Sequence, residues 1–173
     1  MKYTIPTKQW LNPKVEIKNS SIASRGIFAK ELIKKDEVVV IWGGDNYTDY
    51  QGMLKAKKEG KLVMHWDDDL YSFENRQSDD TYFINHSCNS NLWLKDQFTL
   101  IAKRDINIGE EITIDYALFE GDEDYIAQWE CNCKEVDCRK KITGNDWKIK
   151  AVQERYKDHF LPYINRKINN LNK

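Results

Sequence analysis

The chain has almost no charge imbalance and no long apolar run, and each lack excludes a class of partner. Lys+Arg 27 against Asp+Glu 28 leaves a net charge of -1 over 173 residues. Nonspecific nucleic-acid binding needs a basic field that this balance does not supply. The longest apolar run, Val38 to Trp42, is far shorter than the roughly 20 residues that span a bilayer. Between Met1 and Val15 no apolar stretch has signal-peptide length. The expectation is a soluble, intracellular protein, cytoplasmic or nuclear, with neither membrane nor nucleic acid as a direct partner. Internal repeats, low-complexity tracts and any compositional break between two halves are also missing. One core, with at most a small appendage, is therefore expected from this length.

What is present can fill that core. The apolar fraction is 40%, with six Trp and nine Tyr, while a mean hydropathy of -0.75 implies long polar loops. Short β-branched or aromatic runs bounded by Gly, Asn, Asp and Lys predict strands at Gly26 to Ala29, Glu37 to Trp42, Leu70 to Phe73, Leu92 to Lys95, Phe98 to Ala102 and Ile112 to Asp115. Leu92 to Ala102 reads as a hairpin turning at Asp96-Gln97. A short helix is predicted from Tyr50 to Glu59, stopped by Gly60, and a second from Asp124 to Trp129. In the last third Trp147, Ala151, Val152, Tyr156 and Phe160 recur at helical spacing. Pro162 then breaks the pattern before Ile164, Ile168 and Leu171 resume it, which predicts two consecutive helices. This tail, Arg139 to Lys173, has ten Lys/Arg and three Asp/Glu, which suits a solvated helix face or a dock for an acidic partner.

The four cysteines are the first chemical signal. In a reducing compartment they are read as metal ligands before disulfides. Cys131, Cys133 and Cys138 form C-x-C-x4-C in a polar segment, and Cys88 is the only thiol left to supply a fourth corner. Four thiolates saturate a tetrahedral zinc ion and leave no open position, so the metal would be structural. His86 offers another ligand, although four cysteines already satisfy the ion.

Further blocks carry a resemblance. Asn85-His86-Ser87-Cys88-Asn89-Ser90-Asn91 resembles the Asn-His-Ser-Cys-x-Pro-Asn motif of SET-domain lysine methyltransferases, and Gly109-Glu110-Glu111-Ile112-Thr113-Ile114-Asp115-Tyr116 resembles their Gly-Glu-Glu-Leu-Thr-x-Asp-Tyr motif. Ser24-Arg25-Gly26-Ile27-Phe28-Ala29 is similar to their N-terminal glycine motif, and the cysteine triplet to their post-SET segment. The blocks fall in the family's order across about residues 15 to 144. Departures are Ala23-Ser24 where a glycine often sits, Tyr82 for arginine, Ser90 for proline, and Lys134 and Lys140 for glycines of the post-SET segment.

The resemblance implies a mainly β, threaded SET fold over 15–118 and a post-SET zinc segment over 119–144 bound through Cys88, Cys131, Cys133 and Cys138; the helical spacing beyond it predicts a C-terminal helical extension over 145–173. It implies S-adenosylmethionine held by backbone groups at Ser24, Arg25, Gly26, Asn85 and His86. Trp129 and Ile142 are candidates to pack on the adenine, ordinary filling around the zinc being the other reading. Tyr116 resembles the catalytic tyrosine that orients the amine and the methyl group. His86 is expected to be architectural, and adjacent Glu110 and Glu111, on opposite strand faces, to be structural. Glu120, Asp122, Glu123 and Asp124 either attract a basic peptide or form a solvated loop. Ile114 occupies the place where, in the family, a tyrosine hydroxyl limits methylation and phenylalanine leaves room for further rounds. The implied partner is a lysine-bearing protein, histone-like, ribosomal or otherwise basic. A binding module with the fold but no turnover, and a zinc-binding interaction module, are the alternatives.

Overall fold

A computed structural model of the chain describes residues 4–74 and 80–171. Its elements follow in the order β1 (Trp10–Leu11), β2 (Val15–Asn19), β3 (Arg25–Ala29), β4 (Val38–Ile41), β5 (Tyr47–Thr48), α1 (Tyr50–Lys58), β6 (Leu62–Asp67), β7 (Leu70–Glu74), β8 (Asn85–His86), β9 (Leu92–Leu94), β10 (Thr99–Ala102), β11 (Glu111–Ile114), α2 (Lys150–Arg155) and α3 (Pro162–Leu171). They build three sheets, ordered β1-β4-β10-β9, β2-β3-β11-β8 and β5-β7-β6. The mainly β architecture is the expected one.

Local chemistry explains most boundaries. Gly60 has a positive φ of 74° and stops α1, which Asp49 caps by accepting the Gly52 N–H at 2.9 Å. The β9–β10 hairpin turns where expected: Asp96 accepts the Phe98 N–H at 3.0 Å, and Gln97 donates to the Trp66 carbonyl at 2.9 Å. Five strands escaped the sequence reading, three of them two-residue pairings (β1, β5 and β8) and two of them longer. Val15–Asn19 carries an alternating apolar–polar pattern that signals a strand. Leu62–Asp67 mixes His65 and Trp66 into an apolar run, and only its pairing with Leu70–Glu74 defines it.

Two expectations about helices are corrected. Asp124 to Trp129 is not a helix: Ile126 bridges Thr143, and Ala127 N–H donates to the Ile142 carbonyl at 2.9 Å. Pairing across the cysteine segment thus overrides local propensity. In the tail, Trp147 lies in a separate turn, Asp146–Lys148, and Phe160 lies beyond α2. Two consecutive helices do follow, as expected, and Pro162 opens the second, α3, where its missing N–H has no helical partner to lose. Positions 172 and 173 of the expected extension lie outside the described residues.

The core runs from Val15 through Ile27, Leu100 and Ile112 to Trp147, Tyr156 and Tyr163, so the tail helices share it with the sheets. Burying Trp147, Tyr156 and Tyr163 to 2% exposure or less contributes about 2 kcal/mol or more each. Through α3 the tail also grips the middle of the chain. Tyr163 donates its hydroxyl to the Phe119 carbonyl at 2.7 Å, Lys167 donates to the Gly121 carbonyl at 3.0 Å, and Arg166 pairs with Asp67 and Asp68. The Tyr163 ring stacks on His65 at 4.2 Å, and His65 stacks on Tyr71 at 4.5 Å.

Candidate active site

One register decides the site. β11 runs parallel to β8, with Thr113 opposite Asn85 and Ile114 opposite His86. Antiparallel to its other neighbour, β11 places Glu111 opposite Phe28 and Ile112 opposite Ile27. Three stretches separated by up to ninety residues in sequence therefore converge: the loop before β3, the Asn85-His86 pair, and the turn opening at Tyr116.

The first junction is built around a carboxylate. The Asn85 side-chain amide donates to Glu111 Oε1 at 2.7 Å and to the Arg25 carbonyl at 2.9 Å, and Ser20 Oγ donates to Glu111 at 2.8 Å. Gly26 sits between them. A Cβ there would lie 2.2 Å from Glu111 Oε1 and 2.9 Å from Asn85 Nδ2, so side-chain bulk is excluded by the network that aims the loop. Glu111 is structural, as expected, and ties the glycine motif to the Asn-His motif. Ser24 and Arg25 are exposed at the loop's edge, with the Arg25 guanidinium 4.4 Å above the Phe83 ring.

The second junction fixes Tyr116. Its hydroxyl donates to the Ile84 carbonyl at 3.3 Å, and its N–H donates to His86 Nδ1 at 3.2 Å. Burial, with Tyr125 and Tyr82 nearby, pushes the phenol above its ordinary range, so it acts as a neutral hydroxyl. Burial and the Arg139 charge push His86 down to about 3. It is a neutral, architectural imidazole. With Nδ1 accepting, its proton belongs on Nε2, 3.3 Å from Cys88 Sγ.

A cleft of about 1010 Å³ joins these junctions. Ser24, Arg25, Asn85, His86 and Trp129 line it together with Tyr116, Phe119, Glu120 and Tyr125. Trp129 is 44% exposed, its ring centroid 6.0 Å from His86 and 6.1 Å from Tyr116. Ile142 is placed differently, fully buried against Cys88, Ala127 and Cys131 and away from the cleft wall. It fills the cysteine lobe. Phe119 packs 5.2 Å from Tyr116, and Glu120, half-buried, has its carboxyl raised by burial. Phe119, Tyr82 and Tyr125 were missed as lining residues, because single aromatics in loops carry no periodic signal.

The cysteines gather as expected. The sulfurs of Cys88, Cys131, Cys133 and Cys138 all lie within 4.8 Å of one another, and His86 is outside the group. A tetrahedral zinc ion with bonds of about 2.3 Å spaces its sulfurs about 3.8 Å apart, and Cys88 and Cys131 stand at 3.9 Å. Burial pushes the Cys88 thiol up and that of Cys131 to about 12. Cys133 is instead lowered to about 7, by hydrogen bonds that outweigh its burial, and four sulfurs at this spacing form a donor set that fits zinc. Lys134 and Lys140, at positions where glycine was expected, adopt φ of 61° and 62°, the left-handed geometry that favours glycine.

A family model described as the SET domain matches residues 24–117, just over half of the chain. The chain belongs to the SET-domain family. Among curated relatives it is 28% identical over 162 residues to "Histone-lysine N-methyltransferase ASHH3" of Arabidopsis thaliana, covering 86% of this chain and 44% of that protein. It is 30% identical over 142 residues to "Histone-lysine N-methyltransferase set1" of Dictyostelium discoideum, covering 75% of this chain and 9% of the relative. With "Histone-lysine N-methyltransferase SETD1B" of Homo sapiens it shares 30% over 139 residues, 73% of this chain and 7% of that one. The chain thus spans less than half the length of these relatives.

Within the SET frame, one departure has a physical reason. Ser90, in the place of the family's proline, donates its N–H to the Tyr156 hydroxyl at 3.1 Å. Proline has no N–H to give. No helix among the described residues is long and apolar enough to cross a membrane.

Proposed function

We propose that this SET domain transfers methyl groups from S-adenosylmethionine to the ε-amine of a lysine in a protein substrate. The observation that carries the proposal is the Tyr116 hydroxyl, held by the Ile84 carbonyl in a cleft that Ser24, Arg25, Asn85 and His86 also line. When bound, S-adenosylmethionine supplies an activated methyl group on a sulfonium.

The chain's residues perform the rest. Ser24, Arg25, Gly26, Asn85 and His86 hold the cofactor through the loop and strand that Glu111 locks together. Trp129 offers an exposed ring for the adenine. Tyr116, with Phe119 and Tyr125 around it, forms the end of the lysine path. An apolar, aromatic path disfavours the charged amine, whose ordinary pKa is about 10.4, and so promotes the neutral nucleophile. Because its proton is committed to Ile84, the Tyr116 oxygen presents lone pairs to the amine and to the polarised methyl, which aligns them for in-line transfer. With the cofactor held there, the neutral lysine nitrogen would supply the electron pair for the methyl carbon and release its proton to solvent, while Tyr116 keeps the amine in line.

Cys88, Cys131, Cys133 and Cys138 would hold one structural zinc ion, in a division of 15–118 for the SET domain, 119–144 for the post-SET segment and 145–173 for the helical extension. Glu120, Asp122 and Glu123 on the cleft suit a basic substrate. The relatives' names point to histones as the first candidates and to chromatin as the place of action. Incubation of the purified chain with labelled S-adenosylmethionine and core histones or a cell lysate tests the proposal. Labelled lysine is the expected outcome. Cofactor binding without transfer to any protein would instead support the reading as a binding module.

A further inference from the structure

Arg139 follows the ligand Cys138, yet its side chain leaves the cysteine lobe. Its Nη1 and Nη2 donate to the two oxygens of Asp115 at 2.8 and 2.6 Å, and its Nε donates to Asp146 at 2.8 Å. The fork is enclosed, with side-chain exposures of 11% for Arg139, 0% for Asp115 and 6% for Asp146. Such paired contacts fix geometry as well as charge. Asp115 immediately precedes Tyr116 and also accepts the Ala117 N–H at 3.0 Å, so its carboxylate sets the turn from which Tyr116 projects. At its other end, the Arg139 backbone N–H donates to Cys88 Sγ at 3.3 Å.

A second path returns to the same sulfur. Tyr116 N–H donates to His86 Nδ1, and His86 Nε2 faces Cys88 Sγ. These two hydrogen-bond paths from Tyr116 therefore meet at Cys88, the cysteine that comes from the SET motif rather than from the post-SET triplet.

We infer that Arg139 is a positioning residue that joins the metal site to Tyr116 through Asp115, so that the hold on the metal and the placement of the tyrosine hydroxyl are energetically linked. The inference rests on the methyltransferase reading for its catalytic half only. Coupling between sites is reciprocal in binding free energy. Whatever loosens the Asp115 turn therefore loosens the metal, although Asp115 is no ligand.

The test uses the zinc-loaded full chain and three variants: Arg139→Lys, Asp115→Asn, and Arg139→Gln with Asp115→Asn. The last removes both charges of the Arg139–Asp115 pair and leaves Asp146 its bond from Thr143 Oγ1 at 2.8 Å, so it strains the fold less than removing one partner of that pair alone. Zinc release to a chromophoric chelator, affinity for S-adenosylmethionine by calorimetry, and kcat and KM on core histones are measured. Each variant is expected to bind one zinc per chain, to release it about tenfold faster, and to lose about tenfold in kcat. KM and cofactor affinity stay within about threefold of the parent. Zinc release at the parent rate in the double variant would overturn the inference whatever happens to kcat. A faster release with unchanged kcat would overturn it equally. If the parent transfers no methyl group to histones, zinc release alone decides, and acceleration in Asp115→Asn supports the link while the failure falls on the proposed activity.

Discussion

Gly26→Ala isolates the junction that aims the cofactor loop. The new Cβ would meet Glu111 Oε1 at 2.2 Å and Asn85 Nδ2 at 2.9 Å, both well inside ordinary contact. Glu111 must swing away, and its bonds from Asn85 and Ser20, at 2.7 and 2.8 Å, are lost or stretched. Hydrogen bonds to a charged group contribute about 1.5–3 kcal/mol each, and overpacking costs about 1–3 kcal/mol. Partial relaxation leaves an expected penalty of about 2–3 kcal/mol, shared between stability and the fit of the loop. A 2 kcal/mol share in binding lowers affinity for S-adenosylmethionine about thirtyfold. A 1 kcal/mol share in stability lowers Tm by about 2–4 °C. Calorimetric titration and thermal unfolding read the two separately. Glu111→Ala should make the second substitution milder, because it removes the atom that clashes. Parental affinity and Tm in Gly26→Ala would show that Glu111 does not hold the loop.

Other outcomes follow from the same geometry. Elemental analysis should find about one zinc per chain, and Cys131→Ser with Cys133→Ser should abolish it, since two ligands cannot hold the ion; full retention of metal would refute the four-thiolate site. Tyr163→Phe removes the donor to the Phe119 carbonyl, which should lower stability by about 1–2 kcal/mol and raise KM for the protein substrate. Cofactor affinity should be unchanged, and a KM equal to the parent's would show that α3 does not support the cleft. Ile114, 1% exposed and reaching the cleft, offers no hydroxyl to hold a water beside the amine, so the product should extend beyond monomethyl-lysine. Mass spectrometry at long reaction times decides, and a product halted at one methyl with excess cofactor would refute it.

What the sequence made legible was chemistry carried by residue identity and spacing. C-x-C-x4-C needs only backbone geometry to bring three sulfurs together, and Cys88 joins them because β8 is held beside β11. Tyr116, Asn85 and His86 could be placed because their motifs are short and contiguous. Residues that act across the fold were hidden. Nothing near Arg139 announces Asp115, twenty-four positions earlier, and nothing at Ser90 announces Tyr156, sixty-six positions later. The Asp124 to Trp129 helix failed for the same reason, because pairing with residues 142–144 outweighs the preference of a short segment. For Ile142 the sequence left two readings open, packing on the adenine or filling around the zinc, and its burial against Cys88 and Cys131 comes from the closure of the lobe.

The most direct measurement of the central claim compares the parent with Tyr116→Phe for binding of S-adenosylmethionine and for methyl transfer to core histones across pH 7 to 9.5. The substitution removes one hydroxyl and its bond to Ile84 while leaving the Tyr116 backbone to donate to His86. Cofactor affinity should change by less than about threefold, and transfer should fall by about a hundredfold or more. Since burial keeps the phenol neutral over this range, the rise of the parent's rate with pH should follow the substrate amine, and the residual activity of the variant should show the same slope. A variant that turns over at the parent rate, or a parent rate that saturates with ionisation of a group lost in the variant, would contradict the assignment of Tyr116.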